Sequence, residues 1–231
     1  MHLKLLGTKG EIKASLPRHR KQSGLLIDGV LLIDLGEKNY LKYRPQWVVM
    51  THLHPDHAYF VRRGHEEDPD TKALLFAPEK SRKGIRILKR KRKLGPYSIT
   101  PIPTHHSKNV QSQAYLIKKG QRSLLYTGDL VWIDKKYHPL FYHVDLIITD
   151  GSFLREGGMI RKDKTTKKLF GHNGIPNLVR LFQPYTEKIL FTHFGSWFFQ
   201  NPKASREKLH AMGIKYHVEI VVGHDGMELD L

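Results

Sequence analysis

The segment Thr51-His52-Leu53-His54-Pro55-Asp56-His57 places three histidines and an aspartate within six consecutive positions, directly after the apolar run Trp47-Val48-Val49-Met50. Imidazole and carboxylate are donors of transition-metal sites; they suit zinc, and also iron, nickel or manganese. Side chains two apart on an extended chain point the same way, so His52 and His54 can converge on one ion. Pro55 ends the strand. Asp56 and His57 follow at a turn into an expected helix over Ala58–Arg63. They approach from another direction and can hold a second ion about 3.5–4 Å from the first.

The elements that must position these groups read as a mixed α/β chain. Gly24–Ile27 and Val30–Leu35 are apolar runs joined by Asp28-Gly29, a type I′ hairpin signal. Ala114–Ile117 and Ser123–Thr127 repeat the idea around the turn Lys118-Lys119-Gly120-Gln121. One hairpin ends in Asp34-Leu35-Gly36 and the other in Gly128-Asp129-Leu130, a faint echo that suits two similar halves. Gly174–Phe182, with Pro176 in its first turn, and Ser205–Met212, capped by Ser205 and ended by Gly213, read as helices. Lys188–Thr192 and His217–Val222 read as strands, so His193 also follows a strand end.

THLHPDH resembles the H-x-H-x-D-H motif of the metallo-β-lactamase superfamily, and further elements of that family recur in order along nearly the whole chain. The resemblance implies a four-layer αββα sandwich. It implies a third metal-binding histidine at His106 in Pro103-Thr104-His105-His106-Ser107, a bridging aspartate at Asp129 in Tyr126-Thr127-Gly128-Asp129, and a last ligand at His193 in Phe191-Thr192-His193-Phe194-Gly195. By that comparison His52, His54 and His106 hold one ion, Asp56, His57 and His193 the other, and Asp129 sits between them. The chemistry agrees, because a carboxylate has two oxygens and can bridge two cations, whereas a neutral imidazole offers a metal one nitrogen. His105 is the rival for third ligand, its alternative role being a surface or supporting imidazole. His106 is preferred because the family's ligand immediately precedes Ser.

A narrower resemblance lies in the second half. Thr149-Asp150-Gly151-Ser152-Phe153 looks like the E-A-T-F segment of the ribonuclease Z family, Gly171-His172-Asn173-Gly174 looks like its H-S-T segment, and His224-Asp225-Gly226-Met227-Glu228 resembles its terminus. Carried over, Asp150 orients His172, and His172 stabilises charge on the phosphorane or protonates the leaving oxygen. Asp for Glu is a departure that shortens the reach. A larger departure is the missing insertion that grips tRNA, because Ser107–Gly128 is only long enough for a hairpin. In this the chain also resembles the arm-less cyclic phosphodiesterases of phosphonate breakdown, which act on small phosphodiesters.

Composition bounds the remainder. The 231 residues, 39% hydrophobic, can bury a full core, and with no linker the expected organisation is one domain over 1–231. No apolar run approaches the roughly 18 residues of a membrane span, and the start Met1–Gly7 is unlike a secretory leader, so a cytoplasmic protein is expected. Cysteine is absent, which removes disulfides and thiolate ligands and separates the chain from antibiotic-degrading members with a cysteine in the second site. Diiron oxygen-reducing members, with Glu at the position of His54 and an added flavin domain, are likewise excluded. The net charge of +17 owes much to Lys80–Lys93, KSRKGIRILKRKRK, which reads either as a phosphate-tracking footprint or as the solvated helix face of a heat-adapted protein. Phe198 and Phe199 beside Trp197 read as core or as the wall of a pocket for an aromatic or nucleobase group.

These observations predict a hydrolase using two divalent transition-metal ions, zinc foremost. Its expected reaction is phosphodiester hydrolysis, with Asp56 accepting a hydrogen bond from the attacking water and His172 and Asp150 serving the leaving side. The expected partner is a small-molecule phosphodiester or a nucleic acid, with no membrane and with a homo-oligomer left open. A lactonase or thioesterase, or an RNA-processing or nucleic-acid-binding protein, is the alternative.

Overall fold

Leu25-Leu26-Ile27, Leu31-Leu32-Ile33 and Leu146-Ile147-Ile148 are apolar at every position and buried throughout, the pattern of strands covered on both faces. The computed structural model describes residues 1–64, 68–81 and 84–231. Two sheets lie at its centre. The first runs in the order Glu228–Asp230, His2–Gly7, Gly24–Ile27, Leu31–Ile33, Trp47–Val49, Leu74–Ala77, Ile85–Ile87. The second runs Trp132–Ile133, Tyr97–His105, Gln113–Lys119, Arg122–Tyr126, Leu146–Asp150, Lys188–Thr192, Glu219–Val222, with Arg92–Leu94 also pairing with Tyr97–His105.

Alternation along each strand decides which layer a side chain enters. Leu25, Ile27, Leu31, Ile33 and Val49 face inward against Ile117, Leu124, Leu146, Ile148 and Leu190 of the other sheet. The opposite faces turn outward. Leu116, Leu125, Ile147 and Ile189 meet Leu178, Val179 and Phe182 of the helix Ile175–Phe182 and Leu209 of the helix Pro202–Tyr216. Leu26, Leu32 and Val48 are covered by Tyr40, Tyr59 and Phe60, which stand on 3-10 turns at Lys38–Tyr43 and Tyr59–Val61. The αββα layering is therefore present, with short turns rather than long helices outside the first sheet.

The expected helix Ala58–Arg63 is replaced by the single 3-10 turn Tyr59–Val61. The cause is backbone pairing: Leu35 N donates to His57 O and Tyr59 N donates to Leu35 O, so these groups are unavailable to a helix. Asp28 and Gly29 have φ of 49° and 73°, as a type I′ turn requires. The second hairpin is tighter than expected, since Lys119 pairs with Arg122 and leaves Gly120-Gln121 as the loop. The helix expected over Ser205–Met212 spans Pro202–Tyr216, capped by Asn201, whose side chain accepts from Ala204 N at 3.1 Å. Gly213 lies inside it because a Cβ there would stand 2.8 Å from the Val218 carbonyl oxygen; the left-handed residue that ends the helix is His217, φ 53°.

The Lys80–Lys93 run is no helix face where it is described. It forms the strand Ile85–Ile87 and enters the strand Arg92–Leu94, while Arg82 and Lys83 lie outside the described residues. Arg92 pairs with Ile99, six residues before His105 on the same strand, so it stands about 20 Å from that strand's far end. Among the described residues no helix is long and apolar enough to cross a membrane.

Leu31–Ile33, Trp47–Val49 and Leu74–Ala77 run parallel, as do Arg122–Tyr126, Leu146–Asp150, Lys188–Thr192 and Glu219–Val222. Asp34, Thr51, Asp129, Asp150 and His193 fall at or just beyond the carboxyl ends of these strands, the edge at which open α/β sheets bind ligands.

Candidate metal centre and active site

The strand Trp47–Val49 delivers Thr51, His52 and His54. His52 Nδ1 meets Thr51 Oγ1 at 3.0 Å, leaving Nε2 to face His54 Nδ1 at 3.1 Å. His106 Nε2 reaches the same His54 nitrogen, also at 3.1 Å, while its Nδ1 donates to the Gly171 carbonyl at 2.9 Å. That donation sets the His106 tautomer, with a lone pair on Nε2 toward the cluster. His105 turns elsewhere: its Nε2 stands 2.9 Å from Asp134, so of the two rivals it is His106 that joins the group.

Asp56, His57 and His193 gather beside it. His193 Nε2 donates to Asp56 Oδ2 at 2.8 Å. Asp129 lies between the groups and divides its oxygens: Oδ2 is 3.4 Å from His106 Nε2 and 3.7 Å from His52 Nε2, and Oδ1 is 3.1 Å from His57 Nε2 and 3.3 Å from His193 Nε2. Oδ1 is buried and, among the described residues, makes no hydrogen bond despite those neighbours, so the His57 and His193 nitrogens are not aimed at it. A buried carboxylate oxygen left so is costly unless a cation meets it. Together with the donor chemistry, it shows that these residues fit metal.

The two groups differ in charge. Burial, assisted by neighbouring imidazoles, holds His52 well below the usual histidine range and lowers His106 to about 4, and burial likewise lowers His54. Burial also opposes charge on His57 and His193, but there Asp129, with Asp34 and Asp56 around His57 and Asp150 and Asp56 around His193, overcomes it and raises both well above the ordinary value. Asp56 is held at about 2 against its burial, mainly by His57 and His193.

Three supporting residues escaped the sequence reading. Asp34, fully buried with φ 60°, accepts from Thr51 N at 2.7 Å and from His57 Nδ1 at 2.7 Å, directing His57 Nε2 at the cluster. Its signal was the Asp34-Leu35-Gly36 echo of Gly128-Asp129-Leu130, whose Gly128 has φ 60° and lacks room for a Cβ beside Thr51. Ser152 Oγ stands 2.9 Å from His193 Nδ1 and 3.2 Å from His172 Nδ1, and it was readable only as the hydroxyl of the Thr149–Phe153 segment. Gly10 packs on His193, where a Cβ would stand 3.1 Å from the ring. His193 itself has φ 56°, a strained conformation for a residue with a side chain.

Asp150 and His172 stand in hydrogen-bond contact. The shorter aspartate reaches because it lies at the strand end, buried, with Oδ2 2.7 Å from His172 Nδ1 and also accepting from Leu130 N, while Oδ1 accepts from Ser152 N. Burial opposes charge on both, yet their mutual attraction raises His172 and lowers Asp150. With Nδ1 engaged, Nε2 is the nitrogen left for a substrate. The His172 side chain is 18% exposed, and its ring stacks on His193 at 5.7 Å.

Of these side chains His54, Asp56, His106, Asp129, His172 and His193 line a cavity of about 580 Å³, together with Ile12, Phe153, Leu154, Met159 and Trp197 and with Glu11 and Arg155. The aromatic trio divides: Trp197 faces the cavity, its Nε1 donating to Gly151 O at 2.8 Å, whereas Phe198 is fully buried in the core.

Residues 41–194, well over half of the chain and enclosing every one of these metal-donor candidates, match the family described as Beta-lactamase superfamily domain. The chain belongs to the metallo-β-lactamase superfamily. Members of this superfamily are metal-dependent hydrolases, and both His/Asp groups of the present member are able to bind metal. Among solved structures of the superfamily fold, YhfI from Bacillus subtilis matches with a TM-score of 0.71 at 18% identity, covering 99% of this chain and 98% of that one. A diphosphatase of the PhnP family matches at 0.65 and 15%, covering 100% and 97%. The short form of human tRNase Z matches at 0.65 and 15%, covering 100% and 99%. At such identities the likeness carries the fold. Comparison with curated proteins gives no match.

Proposed function

We propose that residues 1–231 form one catalytic domain, a phosphodiesterase working with two divalent transition-metal ions, zinc foremost. His52, His54 and His106 would hold one ion and Asp56, His57 and His193 the other, with Asp129 between the two groups as a ligand available to both. When bound, such ions supply an activated water and neutralise phosphoryl charge. Asp56, beside the second group, accepts a hydrogen bond from the attacking water. His172, oriented by Asp150, which also raises its proton affinity, presents Nε2 to the leaving oxygen or to a non-bridging oxygen, and Arg155 is a further cation in the cavity lining. The Asp150–His172 pair beside the donor cluster carries this reading, since a phosphoryl group has both a leaving oxygen and further anionic oxygens to satisfy.

The cavity's size suits a small or nucleotide-type diester. Its apolar wall of Ile12, Phe153, Leu154, Met159 and Trp197 favours a second reading, an acyl substrate such as a lactone or thioester. Assaying bis(4-nitrophenyl) phosphate, a γ-lactone and an acyl thioester side by side with metal-loaded protein separates them. The diester is expected to be turned over fastest, and a preference for either acyl compound would put the second reading first.

Metal loading has its own expected signature. The neutral first-group histidines take an ion without releasing protons, whereas at neutral pH His57 and His193 hold protons that a second ion must displace. Binding of the second equivalent should release about two protons near pH 7. Calorimetry in buffers of different ionisation enthalpy measures this, and release tied to the first equivalent, or none at all, would contradict the assignment.

A further inference from the structure

The strands Met159–Lys162 and Leu169–His172 form a separate two-stranded ribbon whose root is fastened to a metal-donor candidate. Gly171 N donates to His106 O at 2.6 Å, and Gly171 O accepts from His106 Nδ1 at 2.9 Å. Register places Met159 opposite His172 and Arg161 opposite Phe170. Residues two apart share a face, so the face that carries His172 and the cavity residue Met159 continues outward as Arg161 and Phe170. Arg161 indeed lies back toward Met159, its Nη2 3.8 Å from Sδ, and Lys108 Nζ stands 5.6 Å from the centre of the Phe170 ring.

Beyond this pair the ribbon is strongly basic. Lys162, Lys164, Lys167 and Lys168 are all exposed. Asp163 is the one acid between 159 and 172, and its Oδ1 is taken by Thr165 N, Thr166 N and Thr166 Oγ1. Four residue pairs span about 13 Å, which matches about four nucleotides of a stacked strand at ~3.4 Å each. An aromatic ring flanked by cations, leading to a file of lysines, is the pattern of a single-strand track. Among the described residues the cavity by contrast offers Arg155 as its one lysine or arginine, so it has little to grip the phosphates that flank a cleaved one.

We propose that this ribbon docks a single-stranded nucleic acid, with a base against Phe170, the adjoining phosphates on Arg161 and Lys108, and later phosphates on the lysines of the tip. The proposal rests on the phosphodiesterase reading for where cleavage falls, and not for binding. It also separates the ribbon from Lys80–Lys93, whose Arg92 lies at the distant end of the strand Tyr97–His105.

The test uses metal-loaded protein and a fluorescent phosphorothioate single strand of about 12 nucleotides, followed by anisotropy between about 50 and 200 mM salt. Replacing Lys162, Lys164, Lys167 and Lys168 together by Gln should weaken binding about tenfold or more at low salt and reduce the slope of log affinity against log salt by about 3. Phe170→Leu should weaken binding about tenfold without changing the slope. Turnover of bis(4-nitrophenyl) phosphate should be unchanged in the lysine variant, and neutralising Lys89, Lys91 and Lys93 should leave the strand's affinity near that of the parent. No binding by the parent at low salt overturns the proposal, as does parental affinity in the lysine variant or an equal loss of small-diester turnover. Intact, ribbon-dependent binding without any diester hydrolysis would instead sink the phosphodiesterase reading and leave the docking surface standing.

Discussion

Asp129→Ala is expected to keep the fold, lose the second ion and lose phosphodiester turnover below detection. Asp129 is the residue that faces both donor groups, one oxygen to each, so its removal strips a ligand from both sites at once. Even partners one step removed from a metal are typically worth 10–100-fold in affinity, so the loss at the second site should exceed about 100-fold. His57 and His193 lose the carboxylate that most strongly raises them, so their protonated forms are less favoured. The layers of leucine, isoleucine and valine on either side of both sheets are untouched, and they supply the core. Metal analysis, far-ultraviolet circular dichroism and diester turnover on one preparation check this. A variant that keeps both ions and parental turnover would remove Asp129 from the site.

His172→Ala is expected to keep both ions yet lose on the order of 10²–10⁴ in the hydrolysis of alkyl diesters. The loss should shrink for nitrophenyl diesters, whose leaving oxygen needs little protonation. That dependence on the leaving group is what a merely structural histidine would not produce. Asp150→Ala is a poorer probe than the pairing alone suggests, because it also strands Leu130 N and Ser152 N in the interior at a cost of about 1–3 kcal/mol. Asp150→Asn keeps the shape, and a loss of about 10–100-fold is expected for disturbing only the orientation of the imidazole. If His172→Ala hydrolyses alkyl and nitrophenyl diesters as well as the parent, His172 has no part in leaving-group departure and the acyl reading moves ahead.

What could be read in the chain, and what could not, follows from how far apart the interacting residues are. His52, His54, Asp56 and His57 declare themselves because strand alternation and a turn are local. His106, Asp129 and His193 needed the family resemblance, and the structure then brought them into the same cluster. Asp34 and Ser152 were missed because their roles lie in bonds across 23 and 41 residues, to His57 and His193, which no local pattern encodes. Element ends failed where two residues carry the same signal. Ser205 and Asn201 are both good caps, and only the Asn201 bond to Ala204 N decides between them. Gly213 looked like a stop, but it is a glycine for the sake of Val218. The Ala58–Arg63 helix was lost to pairing with Leu35, a tertiary demand. The Met159–His172 ribbon went unread because its alternation is blurred by charge at Arg161 and Lys162.

The most direct test of a dinuclear phosphodiesterase is the initial rate of bis(4-nitrophenyl) phosphate hydrolysis while chelator-stripped protein is titrated with zinc or manganese from zero to three equivalents. Almost no turnover is expected up to one equivalent, then a steep rise between one and two as the Asp56, His57 and His193 group fills, and a plateau beyond. Full turnover at a single equivalent, or no diester hydrolysis at any loading, would contradict the dinuclear phosphodiesterase reading.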